Sequence, residues 1–180
     1  ITGSIASGKT TASRILSSRR APLFSADIAV QKLYKKDNFK RVLIKRFNIA
    51  KKLKLKTLLR SKILNNKINI KKLERIIHPL VRKEMKNFFR KNKNKKMLFY
   101  EIPLLIESKL MNYFDIIVFI KAKKEIRLKR FKSKGGDKKL FNLLNNKQLP
   151  DSQKGKLCNH VVVNEKNLSI LKKNLLDIIK

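Results

Sequence analysis

The sequence predicts an α/β fold: a short parallel sheet of about five strands, with helices against both faces. Three observations predict it. Apolar runs of strand length alternate with stretches of helical periodicity. The run Ile116 to Ile120 is continuously apolar rather than alternating, as expected of a strand buried on both faces. A glycine-bounded loop, GSIASGKTT at residues 3–11, leads directly into a helical pattern. With 180 residues, 42 % of them apolar, the chain is long enough for one domain with a substantial core.

The elements follow in order. Only Ile1 and Thr2 precede Gly3, whereas a buried strand usually runs about five residues. The chain is therefore expected to begin inside its first strand, and in isolation to fold poorly. Thr10 to Leu16 reads as a helix burying Ala12, Ile15 and Leu16, broken by Ala21-Pro22. Leu23-Phe24 opens a short strand ending near Asp27. Residues 28–92 carry helical spacing and no convincing strand, as in Leu73, Ile76, Ile77, Leu80, Val81, Met85, Phe88 and Phe89. Pro79 predicts a helix boundary near His78, because proline lacks the amide and clashes one turn back. Met97 to Ile102 and Asp115 to Ile120 are strands, and Ala122 to Lys134 a helix ended by Gly135-Gly136. A basic, partly helical segment runs to about Leu157. Val161 to Val163 is the last strand and Leu168 to Ile179 the last helix.

Composition narrows the function. Lys and Arg number 47 against 12 Asp and Glu, a net charge of +35. Such a balance can mark a nucleic-acid binder. Yet Lys, Asn and Ile are abundant along the whole chain, and the cations do not collect in one tail or one helix. The charge is read as compositional drift that still attracts anions, phosphorylated substrates included, and no specific nucleic-acid partner is expected. No apolar run is long enough for a bilayer, so no membrane partner is expected either. Cys158 is the single cysteine, which excludes an internal disulfide, and no Cys/His cluster has zinc spacing. The expected compartment is the cytoplasm, and a monomer is favoured.

The loop fits G-x-x-x-x-G-K-[ST] at Gly3, Gly8, Lys9 and Thr10. Wrapping an anion with backbone N–H groups requires conformations that a Cβ obstructs. Gly8 delivers the chain into a helix whose positive end faces the phosphates. Lys9 adds a point charge for the β- and γ-phosphates of a nucleotide, and Thr10 a hydroxyl for Mg²⁺. A GTPase would carry N-K-x-D, but Asn146-Lys147-Gln148-Leu149 lacks the acid. A motor ATPase would need more chain. A small kinase uses a helical acceptor-binding part and a basic lid, which residues 28–92 and 127–156 suit. The expectation is a three-layer P-loop kinase fold in a single domain spanning residues 1–180.

Six stretches now stand in order: GSIASGKTT, SADIA at 25–29, IIHPLVRKEM at 76–85, YEIPLLIESKL at 100–110, IRLKRF at 126–131 and QLPDSQK at 148–154. Together they resemble the dephospho-CoA kinase family over nearly the whole chain, from Ile1 to about Asn164. The resemblance implies transfer of the γ-phosphate of ATP to the 3′-hydroxyl of dephospho-CoA, with Mg²⁺, the last step of coenzyme A synthesis. The family's Gly-Ser-Gly-Lys-Ser-Thr corresponds to Ala6, Ser7, Gly8, Lys9, Thr10 and Thr11. Its Asp-Ala-Asp corresponds to Ser25, Ala26 and Asp27, so one acid is lost. Its Asp before x-Pro-Leu-Leu is Glu101, and the Asp of a late Ala-Asp pair is Asn159. Ser4 and Ala6 stand where the family carries glycine.

Roles follow from the two readings together. Asp27 is a base or orienting acceptor for the 3′-hydroxyl, or else a helix N-cap. Lys9 and Arg130 neutralise the transferring phosphoryl, with Lys154 as a second lid cation; each could instead be one more solvated charge. His78 touches substrate or packs at its helix junction. Glu101 holds Mg²⁺ through water, or is a charged strand end. Pro103 and Leu104, with Leu105, shape the acceptor pocket, Glu107 is a surface acid, and Asn164 lies near the adenine. Two other classes stay open: a nucleoside monophosphate-type kinase, and a basic nucleic-acid-binding P-loop protein with impaired catalysis, which the changes at Ser4, Ala6 and Ser25 would suit.

Overall fold

A computed structural model describes residues 1–17, 21–49, 55–65 and 67–179. The chain divides into two compact units, Ile1–Ser25 with Asn94–Lys180, and Ala26–Lys93.

The first unit carries the sheet. Its strands are β1 (Thr2–Gly3), β2 (Leu23–Ser25), β3 (Phe99–Glu101), β4 (Val118–Lys121) and β5 (His160–Val163). β4 pairs in parallel with both β1 and β5, and β2 in parallel with β3. Ile1 joins the two sets: its nitrogen donates to the Tyr100 carbonyl at 2.6 Å, and Ile102 N–H donates to the Ile1 carbonyl at 3.0 Å. That is the slanted pattern of a parallel ladder, so the strands run in the order β2-β3-β1-β4-β5. The carboxyl ends of β1, β2 and β3, at Gly3, Ser25 and Glu101, are where open α/β sheets place their ligands.

Helices α1 (Lys9–Ser17) and α9 (Leu168–Leu176) cover one face of this sheet. Ala12, Leu16, Leu171 and Leu175 pack on Ile1, Val118, Ile120 and Val162. Phe119, fully buried between Val118 and Ile120, points by strand alternation to the other face. Helix α8 (Asp151–Lys156) packs against β4. Helices α6 (Lys124–Lys132) and α7 (Lys138–Asn145) meet through Phe131 and Phe141, whose rings are 5.7 Å apart. β3 and β4 are shorter than the runs that predict them. Met97 and Ile116, at the starts of two such runs, are exposed; Leu98 to Tyr100 are half-buried, and full burial begins at Glu101 and Ile117.

The second unit is helical: α2 (Ala26–Leu33), α3 (Asp37–Phe47), α4 (Leu55–Asn65) and α5 (Lys67–Lys91). Phe39, Leu43 and Phe47 repeat every fourth residue and bury one side of α3 against Leu33, Leu55 and Leu59. Each such burial is worth about 2 kcal/mol. Asn48 ends α3 in the left-handed region, at φ 48°.

The expected boundary at His78 is not there. α5 runs unbroken through Pro79. Leu73, Ile76, Ile77, Leu80 and Val81, on both sides of the proline, pack on the same cluster and hold the two halves in line. Pro79 and Arg75 are both exposed, so water can reach the carbonyl that the proline leaves without a donor.

Candidate active site

The loop between β1 and α1 is built as the glycine spacing requires. A Cβ on Gly3 would stand 2.5 Å from the Ile120 carbonyl oxygen, and one on Gly8 (φ +100°) 2.1 Å from the Asn164 amide nitrogen. A side chain at Gly3 would strike backbone, and one at Gly8 would displace the Asn164 amide and strain a positive φ. Ser7 N–H closes the loop on the Ser4 carbonyl at 3.1 Å. Ala6 sits in the left-handed region at φ 57°, which costs an L-residue with a Cβ about 1 kcal/mol. Glycine at this position removes that strain. Ala6→Gly is therefore expected to raise stability by about 1 kcal/mol, read as a shifted denaturation midpoint with unchanged slope.

Side chains from distant parts of the first unit fasten the loop. Lys9, buried at the start of α1, donates to the Ser4 carbonyl at 2.9 Å. The Thr10 hydroxyl donates to a carboxylate oxygen of buried Glu101 at 2.6 Å. The Asn164 amide donates to the Ser7 carbonyl at 2.8 Å, and Arg130 donates to the Asn164 carbonyl at 3.1 Å. Gln148 accepts from Ile5 N–H at 2.9 Å, and Asp151 accepts from the Ser4 hydroxyl. The substitution at Ser4 thus gains a specific acceptor. Arg127 is buried, donating to Asn145 at 2.7 Å and to the Ala122 carbonyl at 3.0 Å. Burial pushes its guanidinium below the usual range, with Asp151 opposing the change. Ser4, Lys121, Lys123, Arg127, Gln148 and Asp151 line part of a cavity of about 590 Å³ beside these groups.

The first unit thus brings together Gly3, Ala6, Ser7, Gly8, Lys9, Thr10, Glu101, Arg130 and Asn164. Thr11 is exposed in the first turn of α1. Pro103 and Leu104 are half-buried in the turn after β3, where the Pro103 carbonyl accepts from Thr2 at 3.2 Å. Asp27 and His78 belong to the helical unit. Asp27 is exposed within the first turn of α2 rather than preceding it, which corrects the N-cap alternative. His78 is half-buried inside α5 rather than at a junction.

Two further placements depart from expectation. Lys154 is fully buried with its ammonium 2.8 Å from Glu107, an internal partner instead of the solvent-facing position of a lid cation. Glu107 is accordingly no surface acid: it holds Lys154 and accepts from Leu149 N–H at 3.1 Å. Gln148, Asp151 and Arg127 were not singled out by sequence reasoning. Their loop partners lie more than a hundred positions away, beyond any local signal. Asn159, where the family carries Asp, keeps an acceptor's role by receiving Ile117 N–H at 2.7 Å.

A parallel sheet of order β2-β3-β1-β4-β5, with a glycine-bounded loop feeding a Lys-Thr helix start, defines the P-loop kinase class. The fold compares directly. A crystal structure from Thermus thermophilus superposes with TM-score 0.79 at 23% identity, over 99% of this chain and 93% of that one. The dephospho-CoA kinase from Campylobacter jejuni does so at 0.69 and 23%, over 99% and 92%. The dephospho-CoA kinase family model matches residues 1–169. The dephospho-CoA kinase of Bartonella quintana is 32% identical over 100% of this chain and 95% of its own length. That of Rickettsia prowazekii is 35% identical over 86% and 81%. The chain belongs to the dephospho-CoA kinase family.

Proposed function

We propose that this chain transfers the γ-phosphate of ATP to the 3′-hydroxyl of dephospho-CoA. The observation that carries this reading is the loop of residues 3–8, with Lys9 and Thr10 at the head of α1 and Glu101 against Thr10. In the reading, the loop amides and the amino end of α1 hold the donor phosphates. Lys9 exchanges the Ser4 carbonyl for phosphate oxygen, and Arg130, already beside Ser7 and Asn164, neutralises charge on the transferring group. Asn164 sits on the adenine side. Asp27 orients the acceptor hydroxyl, with His78, Pro103 and Leu104 contacting the acceptor; a weak base suffices, because phosphoryl transfer depends on positioning and charge. Lys154 acts indirectly, through Glu107, by holding the turn that carries Gln148 and Asp151.

Mg²⁺ fits the donor set. Thr10 and Glu101 offer hard oxygen ligands side by side, and no cluster of three or more His, Cys, Asp or Glu that could hold a metal occurs among the described residues. Mg²⁺ commonly takes one or two protein ligands and completes its shell with phosphate and water. Bound there, it would offset negative charge on the phosphates. Among the described residues no helix is long and apolar enough to cross a membrane. Cys158 is a free thiol, in keeping with a cytoplasmic enzyme.

The test is direct. Protein incubated with Mg·ATP and dephospho-CoA is expected to form CoA, resolved by chromatography. Turnover of a nucleoside monophosphate without CoA formation would overturn the acceptor assignment.

A further inference from the structure

The continuity of α5 through Pro79 has an electrostatic result. Its exposed residues with described side chains are Ile68, Lys71, Lys72, Arg75, Pro79, Arg82, Lys83, Lys86, Phe89, Arg90 and Lys91. Every charged one is cationic, so this helix does gather a row of cations, against the even spread expected from the sequence. The two acids of the helix, Glu74 and Glu84, are half-buried, and Glu84 pairs with Lys36 at 3.6 Å. At about 100° per residue, all the exposed cations from Lys71 to Arg90 fall within an arc of about 120°, along about 29 Å of helix. A break at His78 would have divided this row; the unbroken helix aligns Lys71 and Arg75 with Lys86 and Arg90.

We propose that this face of α5 is a docking surface for single-stranded nucleic acid, bound through its phosphodiester backbone without regard to sequence. The chemistry is complementary: a one-sided row of cations tracks a polyanion, and Phe89, 56% exposed among them, presents a ring on which a base can stack. A lipid surface fits less well, because the apolar side of α5 is committed to the core of its own unit and the exposed side is dominated by cations. The proposal does not depend on the kinase reading, since the stripe lies outside the phosphate loop and binding is measured without ATP or dephospho-CoA.

The test separates a local stripe from diffuse charge. One variant neutralises the stripe: Lys71→Gln, Arg75→Gln, Lys83→Gln, Lys86→Gln and Arg90→Gln. A matched variant removes the same charge elsewhere, at the exposed Lys129, Lys132, Lys166, Lys172 and Lys173. Binding of a 30-nucleotide polyuridine RNA is followed by fluorescence anisotropy across a salt series. The stripe variant is expected to lose on the order of 10²-fold in affinity, with its log–log salt slope shallower by about 3. The matched variant stays within about threefold of the parent. Lys9→Ala retains binding, which separates the stripe from the phosphate loop. Should the five-fold variant not fold, judged by circular dichroism, Lys86→Glu alone is expected to lower the slope by about 1. Equal losses in both five-fold variants overturn the proposal, as does stripe-dependent capture by phosphatidylserine vesicles in the absence of RNA binding.

Discussion

Lys9→Ala is expected to lower kcat/KM for phosphoryl transfer by about 10³-fold, the scale on which enzymes lose a preorganised charge at a developing anion. The reasoning starts from position. The ammonium donates to the Ser4 carbonyl, within the loop itself. Truncation removes that charge and leaves the carbonyl without this donor, so stability falls as well, by about 1–2 kcal/mol. Activity and melting must therefore be measured on the same preparation. A protein that melts within a few degrees of the parent yet retains more than a tenth of its rate would refute the assignment of Lys9.

Glu107→Gln is expected to cost about 3 kcal/mol, because it leaves the buried Lys154 ammonium without its counter-charge. At this chain length that corresponds to a fall in Tm of roughly 6–12 °C. The double replacement Glu107→Leu with Lys154→Met removes both charges and is expected to recover most of the loss. Denaturant titration of Glu107→Leu, Lys154→Met and the double gives the coupling directly. Additive losses would show that Lys154 and Glu107 do not act as a pair. The same set tests the indirect role given to Lys154: the double variant should retain kcat, which a lysine in contact with substrate would not allow.

Much of this architecture was legible because its signals are local. The glycine spacing at residues 3–8 depends on backbone conformation within one loop, where a Cβ at Gly3 would strike backbone and one at Gly8 the Asn164 amide. Apolar runs located β4 and β5, and helical spacing located α1 and α9. The misreadings have a common cause. Pro79 is a local break signal overridden by packing on both sides of it. The predicted strand starts at Met97 and Asp115 rest on apolar runs whose first residues, Met97 and Ile116, tertiary structure leaves in solvent. Lys154 and Glu107, like Ser4 with Asp151 and Ile5 with Gln148, are pairings across the fold, and neither partner carries a mark that identifies the other.

The contact between Lys9 and the Ser4 carbonyl has a consequence for nucleotide capture. A cation kept out of bulk water must not be stranded between partners, since a desolvated lone charge is costly. Here the lysine rests on main-chain oxygen, and in the proposed reading it would trade that neutral ligand for a negative one by a torsional change of its own side chain when the donor binds. On that reading donor recognition would be a relay, with the ammonium hydrogen-bonded both before and after the exchange.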